Sequence, residues 1–370
     1  MSTLTLFRST SLALARLSSG LPLVALNVTV QEARSRSPRF FSSYSSLSTT
    51  SHHFFHTINN TMGSDDQPKI ITAYDESSFP KAQEQSLPGL DADMTPKAQH
   101  TKLERWTREG EPYLEEYVGK GLLKGKAAIV TGGDSGIGRT VAAFFAREGA
   151  DITINYLPEE EKDAQFTRKL IEEAGQKALL IPGDIMKEEV RQEIVKKHLD
   201  AFKYIDVLVN NASKQTQVPD IADIDMANVS STFESNIVQM IGMCKLAVPH
   251  MKRGSNIINT SSVTAYKGSA AMVDYSSTKG AITAFTRSLA AQLLPKGIRV
   301  NSVAPGPFST PLQPASRPAS QMENWGVGSV PLHGRVGQPA ELGDSYVYLA
   351  TNNVTTGSVV HPNLGQHFIA

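Results

Sequence analysis

Tyr275 and Lys279 stand four residues apart in the stretch YSSTK. On a helix, that spacing puts both side chains on one face. A phenol with a pKa of about 10 exchanges protons poorly at neutral pH unless its anion is stabilised. A neighbouring ammonium supplies such stabilisation and is expected to pull the phenol's pKa down. The pair is therefore a candidate proton-handling centre. Standing alone it would be an ordinary exposed helical pair, so its weight depends on what the rest of the chain brings to it.

A second set of residues with chemistry in its spacing is TGGDSGIGRT, where Gly132, Gly136 and Gly138 follow a β-type run and open a helical one. Glycines there allow a tight strand-to-helix turn. The unpaired N–H groups and dipole of the following helix favour an anion such as the diphosphate of a dinucleotide. Thr131, Gly132, Ser135, Gly136, Ile137 and Gly138 are the candidate cofactor contacts of this turn. A lone glycine triplet is weak evidence. The strand before it, the helix after it and a further strand about twenty residues on give it meaning. The spacing is TGxxxGxG rather than GxGxxG.

The elements that must carry these residues are legible from Lys126 onward. KAAIVT, DITIN, KALLI, IDVLVN, NIINTS, IRVNSVA and GSVVH are short apolar or β-branched runs. Their continuity suits strands of a parallel sheet covered on both faces. Between them lie amphipathic stretches such as IGRTVAAFFAREG, KEEVRQEIVKKHLDAF and YSSTKGAITAFTRSLAAQLL, most ending near Gly, Pro or a basic residue. Repeated βα alternation predicts an α/β fold: a Rossmann-type, doubly wound parallel sheet of about seven strands with right-handed crossovers. It forms a single domain, residues 125–370, with an N-terminal extension.

Upstream the composition changes. Residues 1–62 carry Arg8, Arg16, Arg34, Arg36 and Arg39 among many Ser and Thr, with Glu32 the one acid, which is the composition of an organelle transit peptide. Arginine just ahead of aromatic and serine residues in RSPRFFSSYSS points to a mitochondrial processing region. A plastid peptide is the alternative, as is a cytoplasmic protein if translation starts at Met62. Residues 63–124, punctuated by Pro and Gly, are expected to form an arm without long regular elements, laid over the following domain and docked by Trp106, Tyr113 and Tyr117. With 36 basic and 36 acidic side chains, the chain offers no electrostatic footprint for nucleic acid or an anionic membrane. No apolar run approaches the roughly 18 residues of a membrane span. The single cysteine, Cys244, excludes an intrachain disulfide or a multi-cysteine metal site and reads as a small buried hydrophobe.

TGGDSGIGR, NNAS at 210–213, YSSTK and VNSVAPGP occur in the order found in the short-chain dehydrogenase/reductase family, and the resemblance covers about residues 121–370. Within it, GDSGIG, NNASKQ, PGPFSTPLQPASRP, GRVGQPAEL and the upstream PGLDADMTP resemble the glucose/ribitol dehydrogenase-like subgroup, which includes NADPH-dependent aldehyde reductases. LEEYVGKGLLKGK resembles fungal members in particular, which favours the mitochondrion. The resemblance implies Tyr275 as general acid/base, and Lys279 as the residue that holds the nicotinamide ribose and lowers the tyrosine pKa. It implies Ser262 as the group orienting the substrate oxygen; Ser261 and Thr260 are neighbours, and spacing to Tyr275 selects Ser262. Asn236 would anchor a water in a proton relay; on its own it reads as a buried polar group satisfied by backbone. No metal is required. Asp184, with Ile185 beside it, matches the acid that contacts the adenine; Asn210, Asn211 and Ala212 match the segment beside the cofactor, where Ser213 replaces the commoner glycine. Pro305, Gly306 and Thr310 match the loop over the carboxamide.

Cofactor choice is expected at the end of DITINYLPEEE. Tyr156 occupies the place where an NAD-selective site carries an acid, and Arg139 is placed to reach a 2′-phosphate, so NADP(H) is preferred and NAD(H) is the alternative. Residues 306–337 form the expected substrate lid; its Phe308, Leu312, Met322 and Trp325 suit an aldehyde or ketone with a hydrocarbon body, unless they only pack the lid on the core. The expected reaction is reduction of a small carbonyl compound. Oxidation of a polyol or secondary alcohol, a biosynthetic ketoreductase and a non-catalytic nucleotide-binding scaffold are the alternatives. The resemblance also implies a homo-oligomer, a dimer or tetramer, although ATNNVTTGSVVHPNLGQHFIA is shorter than the corresponding segment of relatives.

Overall fold

The computed structural model describes residues 70–368. The expected transit peptide therefore lies outside the described residues. Seven parallel strands form the sheet: β3 (Ala127–Thr131), β4 (Asp151–Tyr156), β5 (Ala178–Pro182), β6 (Val207–Asn210), β7 (Asn256–Thr260), β8 (Arg299–Val303) and β9 (Val359–Val360). Their spatial order is β5-β4-β3-β6-β7-β8-β9, the doubly wound arrangement expected from the sequence. The chain reverses direction across the sheet between β3 and β6, paired through Val130 and Val209. A crevice at the carboxyl ends of these two strands is where such sheets bind ligands.

Alternation along the strands divides the core in two. Ala128 and Val130 face α1 (Gly136–Arg147) and α8 (Ala340–Thr351), joined by Ile152, Ile154, Phe144, Phe145 and Tyr346. Ile129 faces the opposite layer, with Leu208, Ile257 and Val300 packed on α3 (Glu188–Phe202), α5 (Gln239–Ala247) and α7 (Val273–Leu293). Both faces being covered explains why the central strands read as continuous apolar runs. Cys244 sits in the second layer, and burial pushes its thiol up to about 12, so it is a core residue without reactivity. The remaining helices are α2 (Glu161–Glu173), α4 (Met226–Phe233) and the short α6 (Thr264–Lys267).

The arm contains more regular structure than its Pro and Gly content suggested. Strands β1 (Lys102–Trp106) and β2 (Pro112–Glu116) pair antiparallel, with Leu103 the side chain buried in the core. Tyr117 docks as expected, stacked on Phe144 with ring centroids 3.9 Å apart. Trp106 is half-exposed and stacks on His333 of the lid, while Tyr113 stays exposed. A buried guanidinium ties the arm to the domain: Arg335 Nη2 lies 2.8 Å from Glu104 and 2.9 Å from Glu341, and its Nε donates to Thr72.

Candidate active site

A cavity of about 480 Å³ opens at the carboxyl ends of β3 and β6. One end is walled by Tyr156, Asp184 and Ile185; the glycine turn runs along its middle; Ser262, Tyr275 and Lys279 stand at the other end with Pro305, Gly306 and Thr310. Asn211 and Ala212 also line it. Four candidates do not. Thr131 accepts the N–H groups of Asn211 and Ala212 on its hydroxyl, at 2.9 and 3.1 Å, and so shapes the wall from behind. Gly138 is pressed so close to the Gly132 carbonyl that no Cβ fits. Asn210 turns into the sheet and donates to Asn259 at 2.9 Å. Asn236 is fully buried beneath the site.

Lys279 Nζ lies 5.2 Å from the centroid of the Tyr275 ring and donates to the Thr260 carbonyl at 3.0 Å. Burial pushes the phenol up to about 12, partly offset by the Ser262 hydroxyl beside it. Burial also pushes the Lys279 amine down to about 7. Burial of both groups opposes the lowering of the phenol expected from its lysine neighbour. Ser262 accepts both the N–H and the hydroxyl of Thr264 at 3.1 Å, so its own proton is the group it can donate, to the Tyr275 hydroxyl beside it or to a substrate oxygen in its place. Ser261 faces α7 instead, donating to the Lys279 carbonyl at 2.9 Å, and Thr260 bonds Tyr346 at 2.8 Å.

A π-helical turn, Glu234–Val238, interrupts the helix between α4 and α5 at Asn236. Such turns recur at functional sites because the wider coil displaces backbone groups from the regular ladder. The Asn236 amide clamps Lys214, accepting its N–H at 2.8 Å and donating to its carbonyl at 2.9 Å, and also donates to Thr278. Thr278 in turn bonds the Tyr275 carbonyl at 2.7 Å, so Asn236 fastens the wall bearing Lys214 to the helix bearing Tyr275.

A dinucleotide fits the donors present. Gly132 and Gly136 adopt positive φ, and the N–H groups of Ile137 and Gly138 carry no bond among the described residues. Arg139 does not reach the cavity, contrary to expectation. It is buried and held by Asp91 at 3.1 Å and Asp163 at 3.0 Å. Asp134, Glu159 and Glu160 instead line the end near Tyr156, whose hydroxyl donates to Glu161 at 2.6 Å. Burial raises the carboxyls of Asp134 and Glu160, each further raised by carboxylate neighbours, and so favours their neutral forms. On the lid, Phe308 and Leu312 line the cavity; Met322 is buried away from it and Trp325 is covered by Arg317.

Sequence reasoning missed four contributors. Thr264 and Thr278 lay beside recognised motifs without a signal of their own. Lys214 was an unremarked part of NNASKQ. Asp91 is farther afield: its carboxylate accepts the Gly136 N–H at 3.0 Å from 45 residues away. Ser135, the N-cap residue of α1, makes no side-chain cap bond, so the arm supplies the cap.

A doubly wound sheet with a glycine turn at its switch point, and with Ser262, Tyr275 and Lys279 in the same cavity, defines a nicotinamide-type oxidoreductase architecture. The family profile described as Enoyl-(Acyl carrier protein) reductase matches residues 132–367. NADPH-dependent aldehyde reductase 1, chloroplastic, of Arabidopsis thaliana is 47% identical over 258 residues, 68% of this chain and 89% of that protein. Glucose and ribitol dehydrogenase of Daucus carota is 41% identical over 294 residues, 78% of this chain and 96% of that protein. A short chain dehydrogenase from Burkholderia cenocepacia, solved in complex with NADP, superposes with a TM-score of 0.61 at 28% identity, covering 66% of this chain and 98% of that one. The chain belongs to the short-chain dehydrogenase/reductase family of oxidoreductases.

Proposed function

We propose that this protein reduces the carbonyl group of a small aldehyde or ketone to an alcohol, using NADP(H), with Tyr275 as general acid. The observation that carries this reading is the presence of Ser262, Tyr275 and Lys279 in one cavity with the glycine turn. When bound, the reduced nicotinamide supplies a hydride to the carbonyl carbon and is itself oxidised. Ser262 turns its proton from Tyr275 to the carbonyl oxygen and holds it, and Tyr275 delivers the proton that completes the alcohol. Lys279 holds the ribose and keeps the phenol oriented; Asn236 keeps the tyrosine helix registered to the opposite wall. The remaining cofactor contacts proposed are Gly132, Ser135, Gly136 and Ile137 of the glycine turn with Tyr156, Asp184, Ile185, Asn211, Ala212, Pro305, Gly306 and Thr310; Thr131, Gly138 and Asn210 do not line the cavity and are not among them. NADP(H) is favoured by the relative named as NADPH-dependent and by the neighbour solved with NADP. The upward shifts of Asp134 and Glu160 lessen the repulsion that carboxylates at this end would exert on a 2′-phosphate.

The test is NADPH oxidation across a panel of aldehydes, ketones and sugars, with Tyr275→Phe as the control. The variant should lose on the order of 10²–10⁴-fold in kcat while keeping its fold. Near-normal turnover would remove Tyr275 from the reaction. A second reading, oxidation of a polyol, is favoured by Ser213, Lys214 and Gln313, which add polar groups to the wall, and by the relative named for glucose and ribitol. Residues 1–62 are proposed as a mitochondrial import sequence, 63–124 as the arm and 125–370 as the catalytic domain, acting as a dimer or tetramer. Light scattering and imaging of the full chain fused to a fluorescent protein check these points.

A further inference from the structure

Residues 85–92 of the arm make contacts that a passive tether would not need. Leu87 and Pro88 form part of the same cavity wall as Ile137 and Thr310. The segment is closed on itself by Gln85, whose side chain donates to the Leu90 carbonyl at 3.2 Å and accepts the Leu90 N–H at 2.6 Å. On one side it is fastened to the lid. The Gln85 N–H donates to the Pro314 carbonyl at 3.0 Å, and Gly89 sits so close to the lid that a Cβ would lie 2.5 Å from the Pro311 carbonyl oxygen.

On the other side it is fastened to the glycine turn. The N–H groups of Asp91 and Ala92 donate to Asp163 of α2 at 2.7 and 2.9 Å. The Asp91 carboxylate accepts the Gly136 N–H, and it pairs with His100 at 2.8 Å and Arg139 at 3.1 Å. Burial alone would raise this carboxyl; His100, Arg139 and Gly136 outweigh it and hold it below the usual carboxylate range. Asp91 thus takes one of the free donors at the start of α1 and leaves that of Ile137, which lines the cavity, for a ligand anion.

We propose that residues 85–92 are a strap that retains the dinucleotide in its cleft, and that Asp91 is the positioning residue that ties the strap to the glycine turn. The proposal rests on the dinucleotide reading of the cavity. The geometry makes cofactor escape depend on the arm: the wall formed by Leu87 and Pro88 moves away only if the bonds to Pro314 or to Asp163 open.

The experiment measures NADPH binding to the full chain by the cofactor's own fluorescence, with dissociation followed by stopped flow. The parent is compared with Leu87→Ala, Gly89→Val, Asp91→Ala and Asp91→Asn. Parent protein that binds neither NADPH nor NADH overturns the dinucleotide reading and the strap with it. If the parent binds, Gly89→Val should speed NADPH dissociation about tenfold by forcing the segment off Pro311, and Leu87→Ala, at a half-exposed side chain, should do so severalfold. Asp91→Ala should raise Kd about tenfold, with part recovered in Asp91→Asn, which keeps an acceptor for Gly136. A lowered Tm with unchanged Kd and dissociation rate would reduce the segment to a structural brace. Tighter binding in Asp91→Ala would show that the carboxylate acts only as a repelling charge, and would overturn its positioning role. Should Asp91→Ala fail to fold, Leu87→Ala and Gly89→Val decide the strap and Asp91→Asn decides the residue.

Discussion

At the scale of single residues, Tyr275 and Lys279 show how burial opposes a simple expectation. Two groups of opposite ionising habit, placed on one helix face, ought to favour phenolate and ammonium. Enclosed together, both shift toward neutrality: the phenol to about 12 and the amine to about 7. The amine's shift has a stability consequence whose sign is fixed. Its folded pKa lies below the 10.5 of the free side chain, so between about 7 and 10 the unfolded chain binds the extra proton. Stability from this group therefore rises with pH across that window and is at its lowest below it. The phenol works the other way only above pH of about 10, where the unfolded chain ionises first. Lys279→Met removes the buried amine, so the gain in Tm between pH of about 7 and 9.5 should shrink relative to the parent while turnover collapses. Melting curves at several pH values measure this; an unchanged slope would mean that Lys279 stays charged in the fold. Sequence spacing identified the pair. It could not report the desolvation, which depends on how Ser262, Thr260 and the lid close around it.

The elements divide by how far apart in sequence their determinants lie. The seven strands of the sheet were legible because each carries its own apolar run, and the YSSTK helix because its pattern is local. The β1–β2 hairpin was missed: its strands are short and mostly solvated, with little more than Leu103 to mark a buried face. Its anchor lies elsewhere, in Glu104 meeting Arg335 across more than two hundred residues, where Glu341 shares the same guanidinium. That distance also hid the cap on α1 from any local reading, since Asp91 stands in for the side chain that Ser135 does not supply. Arg335 allows a stringent test. Replacing it with Met leaves two carboxylates facing each other without their shared cation, and breaking a buried ionic cluster from one side costs about 3–5 kcal/mol. Urea unfolding should show a loss of that size in Arg335→Met, recovered in part when Glu104→Gln is added. Simple additivity of the two changes would mean that the cluster does not act as a unit.

For the molecule as a whole, the consequence of these long-range bonds is that arm and lid are tied into one unit rather than two. Besides Gln85 to Pro314, the Asn324 N–H donates to the Pro80 carbonyl at 2.9 Å and the Ala82 N–H to Glu323 at 2.7 Å. Neither segment can leave the cavity mouth without breaking bonds that hold the other. The sheet beneath has no such freedom, because its central strands are buried on both faces. Native-state hydrogen exchange separates the two behaviours, since segments that open together share one opening free energy. The amides of Ala82, Gln85 and Asn324 should exchange with a common protection factor, well below that of Ile129 or Leu208. Saturating NADPH should raise the three in parallel, because a ligand retained by the closed form adds its binding energy to every opening that releases it. If Asn324 gains protection while Gln85 does not, the lid closes on its own; a shared gain across both segments is what a reductase with a strapped cofactor cleft requires.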